Sequence, residues 1–153
     1  MFLRAAVFST LAVVLSLACM LTVHVTADEL SSGIVDPALA IQTALAKDSL
    51  DGVAANAGLI EQRAASLGAP AAKIVAAAKE LKGATKIADA RTAFGNLSEA
   101  IIAYMDAQKL TLDSKRARIA FCPMVNKPWL QKDGAIQNPY YGTEMPTCGN
   151  FKK

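Results

Sequence analysis

Phe121–Gly149 reads FCPMVNKPWLQKDGAIQNPYYGTEMPTCG. The stretch carries Cys122 and Cys148, the only tryptophan (Trp129) and two of the three tyrosines, Tyr140 and Tyr141. Pro123, Pro128, Asp133-Gly134, Asn138-Pro139, Gly142, Pro146 and Gly149 follow one another at short intervals. Proline fixes φ, glycine reaches left-handed backbone and Asn or Asp bonds its own main chain, so this spacing predicts turns and no long helix. Yet Trp129, Ile136, Tyr140 and Tyr141 are side chains in which disordered tails are poor. The expectation is an irregular but ordered cap, anchored by its aromatic rings. Just upstream, Ala117, Ile119 and Phe121 alternate with Arg116 and Arg118. That period of two predicts a short strand with the apolar set inward, and Ala135-Ile136 is the expected second strand.

Everything before the cap reads as helix. Asp36-Pro37 offers a cap followed by a proline at the first helical position, and Leu39, Ile41, Ala44 and Leu45 follow. Leu50, Val53, Ala57, Ile60, Ala64 and Leu67 recur in steps of three and four, one stripe of an amphipathic helix closed by Gly68. Gly52 and Gly58 fall within that stretch and weaken it by about 1 kcal/mol each. Pro70 opens a third helix, with Ile74, Val75, Ala78 and Leu81 inward, Lys79 and Lys82 in its last turn and Gly83 at its end. Thr85 is placed to cap a fourth and longest helix, whose stripe runs Ile87, Ala90, Phe94, Leu97, Ile101, Tyr104 and Met105 and ends near Gln108. Short links favour antiparallel neighbours. The fold class expected is therefore mainly α: an antiparallel up-down four-helix bundle over residues 36–110, with a C-terminal irregular cap containing short strands over residues 111–153, all one domain. Residues 28–35 are expected to be a loosely ordered linker.

Ahead of these lies an export signal. Arg4 is followed by an apolar run to Val23, then Val25-Thr26-Ala27 and polar Asp28-Glu29. The pattern predicts a signal peptide, residues 1–27, cleaved after Ala27, and a periplasmic location. An uncleaved membrane anchor is the other reading, since the run approaches the roughly 18–20 residues that span a bilayer. Cys19 raises a lipoprotein reading, against which Ser16 stands where an apolar residue is usual.

Cleavage would remove His24, the only histidine, and Cys19. A Ser-His-Asp triad, histidine-ligated zinc and Cys-x-x-Cys-His haem attachment are then excluded. No Gly-rich phosphate loop, nucleophile elbow or metal-spaced carboxylate cluster occurs, so no enzyme is expected. The chain has 16 basic and 13 acidic side chains without a dense Lys/Arg stripe, which argues against a nucleic-acid partner.

What remains is sulfur. Cys122-Pro123-Met124 and Met145-Pro146-Thr147-Cys148 form a near mirror. Thiolate and thioether are soft donors suited to Cu(I) or Ag(I). Cys122, Met124, Met145 and Cys148 are thus candidate metal ligands, if the two arms meet. The blander reading is one Cys122–Cys148 disulfide, usual for an exported chain with two cysteines. Closing that loop would contribute roughly 3–4 kcal/mol, with Met124 and Met145 as ordinary packing residues. The two readings can coexist, because oxidation would consume the thiolates. Met105, on the helical stripe, reads as core. Asp133 and Glu144 read as solvated, as do Arg116 and Arg118 by default.

Cys122-Pro123-Met124, Trp129-Leu130, Ile136-Gln137-Asn138-Pro139-Tyr140-Tyr141-Gly142, Met145 and Thr147-Cys148-Gly149 together resemble a functionally uncharacterised bacterial periplasmic domain. That domain occurs alone or fused C-terminally to heavy-metal efflux adaptor subunits of the resistance-nodulation-division type. The alanine-rich helices are similar to its variable helical part. The Cys-Pro-Met triplet is also similar to the opening of a small heavy-metal-binding module of the same systems. The resemblance implies an association with copper and silver export and a heavy-metal efflux complex as partner. The expected function is a non-enzymatic periplasmic protein that binds Cu or Ag or assists their efflux. The alternative is a disulfide-stapled helical interaction module with no metal.

Overall fold

In the computed structural model, which describes residues 30–152, the periodic stripes form four α-helices: α1 Asp36–Ala46, α2 Val53–Ser66, α3 Ala72–Lys82 and α4 Ile87–Ala107. Three short strands follow, β1 Arg118–Cys122, β2 Lys127–Gln131 and β3 Asn150–Phe151. They form an antiparallel sheet in the order β2-β1-β3. The protein is mainly α with a small sheet. The expected signal peptide, its cleavage after Ala27 and Cys19 lie outside the described residues. No helix among the described residues is long and apolar enough to cross a membrane.

Each helix packs on the next, α1 on α2, α2 on α3 and α3 on α4. The contact between α1 and α4 is slight, and β2 packs against both. Ala57, Ala64, Ala71, Ala78, Ala90 and Ala93 are buried among Ile60, Ile74, Leu81, Leu97 and Ile101. Small side chains at these positions let the helix axes approach, while each fully buried Leu or Ile contributes roughly 1.5–3 kcal/mol.

Two helices end on a non-glycine residue in left-handed conformation. After α1, Asp48 takes a left-handed conformation (φ 56°). Its N–H reaches Leu45 O at 3.1 Å and Ser49 N–H reaches Ala44 O at 3.0 Å, the paired bonds of a Schellman ending with aspartate where glycine is usual. Lys109 (φ 54°) does the same after α4, with Leu110 N–H on Met105 O at 2.9 Å.

Several expectations are corrected. The segment foreseen as a loose linker is, from Leu30 on, a helical turn, Ser31–Val35, running into α1. Leu30, Ile34 and Val35 are fully buried, so apolar burial overrides the Ser-Ser-Gly signal. Thr85 does not cap α4; the capping position is Lys86, with no side-chain bond. Gly52 is not inside α2 but precedes it, with φ 73°. The inward face of β1 carries Ala120 and Cys122, while Ile119 and Phe121 are half-exposed. The reversal follows from Trp129, which lies opposite Ala120 in the register and occupies the space beneath the sheet. On the outer face Lys152 lies 5.2 Å from the Phe121 ring centroid, while on the Ala120 face, at the sheet's end, Arg118 lies 4.0 Å from that of Phe151. Arg118 also pairs with Asp133 at 2.8 Å and Arg116 with Asp36 at 2.5 Å, so neither arginine is merely solvated. Ala135-Ile136 is not a strand; the partner of β1 is Lys127–Gln131, brought round by the four-residue turn Pro123–Asn126.

Candidate functional site

The cap is fastened to α4 by rings. Trp129 meets Tyr140 edge-on with centroids 5.8 Å apart, and Tyr140 lies 6.1 Å from Phe94 of α4. Burial pushes the Tyr140 phenol far above its ordinary value. Its hydroxyl donates to Pro128 O at 2.5 Å. Tyr140 Cε1 and the Lys127 stem pack over Gly95, each 3.5 Å from where a Cβ would stand, an ordinary contact distance. Gln131, also buried, accepts from Trp129 Nε1 at 3.2 Å and from Gln137 N–H at 2.9 Å. Gln42 of α1 donates to Gln137 O at 2.6 Å. On the other flank, Arg91 of α4 donates to Pro139 O at 3.1 Å and pairs with Asp48, which also accepts from the Thr143 hydroxyl and N–H. These bonds hold the Asp48 carboxyl below its usual value, the Thr143 hydroxyl first, then its N–H, then Arg91.

This frame brings the two cysteine arms together. Cys122 ends β1 and leads into the Pro123–Asn126 turn, where Asn126 is left-handed (φ 55°). Cys148 closes a turn on Met145, with Cys148 N–H to Met145 O at 3.2 Å, and Gly149 passes the chain into β3 beside β1. The result is a Cys122 Sγ–Cys148 Sγ separation of 3.9 Å with both thiols free. Cys122 is buried and Cys148 half-buried. A disulfide needs about 2.05 Å, whereas two sulfurs at this spacing can both reach one cation at about 2.3 Å.

Gly149 is required at its position. Its φ of +140° belongs to glycine, and a Cβ there would stand 2.7 Å from Trp129 Cη2 and 2.9 Å from Phe121 O.

The sulfurs are electrostatically unlike. Burial raises the Cys122 thiol, but the Val125 N–H, the Asn138 amide, the Met124 N–H and Cys148 all donate to it, and together they bring it below the ordinary thiol value. Cys148 is raised, first by burial and then by donating to Cys122 and by the charge there. Cys122 is therefore the natural anionic donor of the pair.

The methionines are less drawn in. Met124 sits at the hairpin tip, 65% exposed, so it is not the packing residue that the disulfide reading expected. Met145 is half-buried at the start of the turn that Cys148 closes. Among the described residues no group of three His, Cys, Asp or Glu side chains gathers. The donors that the structure brings together are the two thiols, which suit a soft cation of low coordination number better than a hard ion.

Asn138 is the residue the sequence motifs did not single out for chemistry. It is fully buried between the arms. Its amide donates to Cys122 Sγ at 3.3 Å and to Cys148 O at 2.5 Å. Its side-chain oxygen accepts from Tyr140 N–H at 2.7 Å and Tyr141 N–H at 3.3 Å. The signal that could have found it is Asn-Pro ahead of two aromatics, an Asx-turn pattern.

A 440 Å³ cleft between α4 and the cap, lined by Arg91, Gly95, Lys127, Tyr140 and Tyr141, adjoins the hairpin turn. Its two cations are already paired, Arg91 with Asp48 and Lys127 with Glu99, and Glu144 also lines it. Compared with known proteins, the chain matches no family model, no curated protein and no solved structure.

Proposed function

We propose that the chain is an exported, non-enzymatic periplasmic protein that binds one soft cation, Cu(I) or Ag(I), or assists its export by a heavy-metal efflux complex. Cys122 and Cys148 are the principal ligands, with Met124 and Met145 as auxiliary thioethers. One observation carries the reading: two free sulfurs 3.9 Å apart, one of them anionic in tendency, at the cap's centre. The resemblance of the cap to the periplasmic domain of efflux adaptors supports it. The helices serve as scaffold, an up-down array closed on its fourth side by the cap. An exposed Met124 suits a site from which a cation is handed on, since a thioether at the surface is open to a partner's ligands.

Anaerobic competition of reduced protein, residues 28–153, against a chromophoric Cu(I) chelator tests this. The expected result is one Cu(I) per chain, with affinity reduced at least a hundredfold by Cys122→Ser. Micromolar or weaker binding that Cys122→Ser leaves unchanged would sink the proposal.

A second reading, from a different class, is a disulfide-stapled helical interaction module without metal. The proximity of the same two sulfurs, 3.9 Å apart, favours it. Thiol trapping and intact mass of protein taken directly from the periplasm separate the two. Two free thiols per chain exclude the staple.

A further inference from the structure

We infer that Asn138 is a positioning residue whose amide, hydrogen-bonded to the Cys122 sulfur, favours the reduced and metal-bound forms of the cysteine pair over the disulfide, so that the pair is a reversible switch and not a fixed staple. The inference deepens the proposed metal site but rests on hydrogen bonds that exist without metal.

The bonding of Asn138 is complete. Both amide hydrogens are used, one on Cys122 Sγ and one on Cys148 O. The side-chain oxygen takes the N–H groups of Tyr140 and Tyr141. Its own N–H donates to Pro146 O at 2.8 Å, and its carbonyl accepts from Gly142 N–H at 3.0 Å. An amide flip would set its NH₂ against two N–H donors, so the donor end must face the sulfurs. The residue therefore ties the arm ending in Cys122 to the arm ending in Cys148 through one rigid amide.

The Asn138 N–H, 3.3 Å from the Cys122 sulfur, bonds most strongly when that sulfur carries negative charge or a metal, because such a bond is charge-assisted. A disulfide sulfur carries no charge and accepts weakly. An environment that stabilises the reduced form makes a disulfide easier to reduce.

The exchange balances with a small disulfide such as oxidised glutathione. The Cys122 thiolate attacks one glutathione sulfur, the glutathione S–S bond breaks and one glutathione thiolate leaves. Cys148 then loses its proton and attacks the mixed disulfide at Cys122, releasing the second glutathione. One protein disulfide forms, one glutathione disulfide is reduced, and the two thiol protons end on the two glutathiones.

The test equilibrates the chain, residues 28–153, in metal-free glutathione buffers and reads the disulfide fraction by thiol trapping and intact mass. Asn138→Asp keeps the acceptor for Tyr140 and Tyr141 but removes both N–H donors and adds negative charge. It is expected to shift the equilibrium toward the disulfide by about tenfold or more. A shift within twofold in a folded variant, judged by the near-ultraviolet signal of Trp129, overturns the inference. Should Asn138→Asp not fold, the unmutated ¹⁵N-labelled chain decides. The Asn138 side-chain amide signals are expected to differ between reduced and oxidised protein, and to be the same in both if the inference is wrong. Neither readout needs metal, so failure to bind Cu(I) would remove the proposed function and leave this equilibrium to be judged separately.

Discussion

Between Asp36 and Ala107 burial is spread over many apolar side chains; between Arg118 and Phe151 it rests on a few residues with several duties each. The helices bury alanines interleaved with Leu, Ile and Phe94 along stripes, and the same kind of apolar contact is repeated from turn to turn. The cap buries one indole, one phenol, one glutamine and one asparagine, and each also makes a hydrogen bond that sets the course of the chain. The difference teaches where geometry is exacting. A helix supplies its own backbone bonds, so its side chains need only be apolar. A segment of turns has no such ladder, and its buried main chain must be satisfied by particular side chains.

The contrast can be broken at three points. Trp129→Ala should have the largest effect, a loss of about 3–5 kcal/mol in urea unfolding, because it removes the fully buried ring between sheet and helices. A loss near 1 kcal/mol would mean that the cap does not depend on it. Gly149→Ala should follow, at about 2–4 kcal/mol, since strain at φ +140° adds to the approach to Trp129 and Phe121 O. An unchanged midpoint would show that β3 can leave β1 without consequence. The smallest effect is acid sensitivity through Asp48. Its folded pKa is lowered, so the stability it adds is present above its ordinary value of 3.8 and is lost as pH falls through the lower folded value. Stability measured against pH should therefore fall less steeply below pH 4 in Asp48→Asn. Curves of equal slope would detach Asp48 from the cap's fastening.

The helices were legible because their stripes are long: Leu50 to Leu67 and Ile87 to Met105 each sustain the three-and-four spacing over several turns. The ordered, aromatic-anchored cap was legible from Trp129 and Tyr140, and the meeting of the two sulfur arms was stated as a condition and is met by Cys122 and Cys148. The inward face of β1 was not legible. Ile119 and Phe121 are the larger residues, and only the position of Trp129 on the paired strand decides that Ala120 and Cys122 turn inward. Leu30, Ile34 and Val35 were hidden by the adjacent Ser31-Ser32-Gly33. Asp48 and Asn138 escaped notice because their roles arise from partners 95 and 16 positions away, Thr143 and Cys122, which no local pattern reports.

X-ray absorption on the reduced chain loaded with one equivalent of Cu(I) tests the central claim most directly, because it counts the atoms around the metal. At least two sulfur neighbours are predicted, falling by one in Cys148→Ser. A shell of nitrogen and oxygen only, or a sulfur count that Cys148→Ser does not change, would contradict the account.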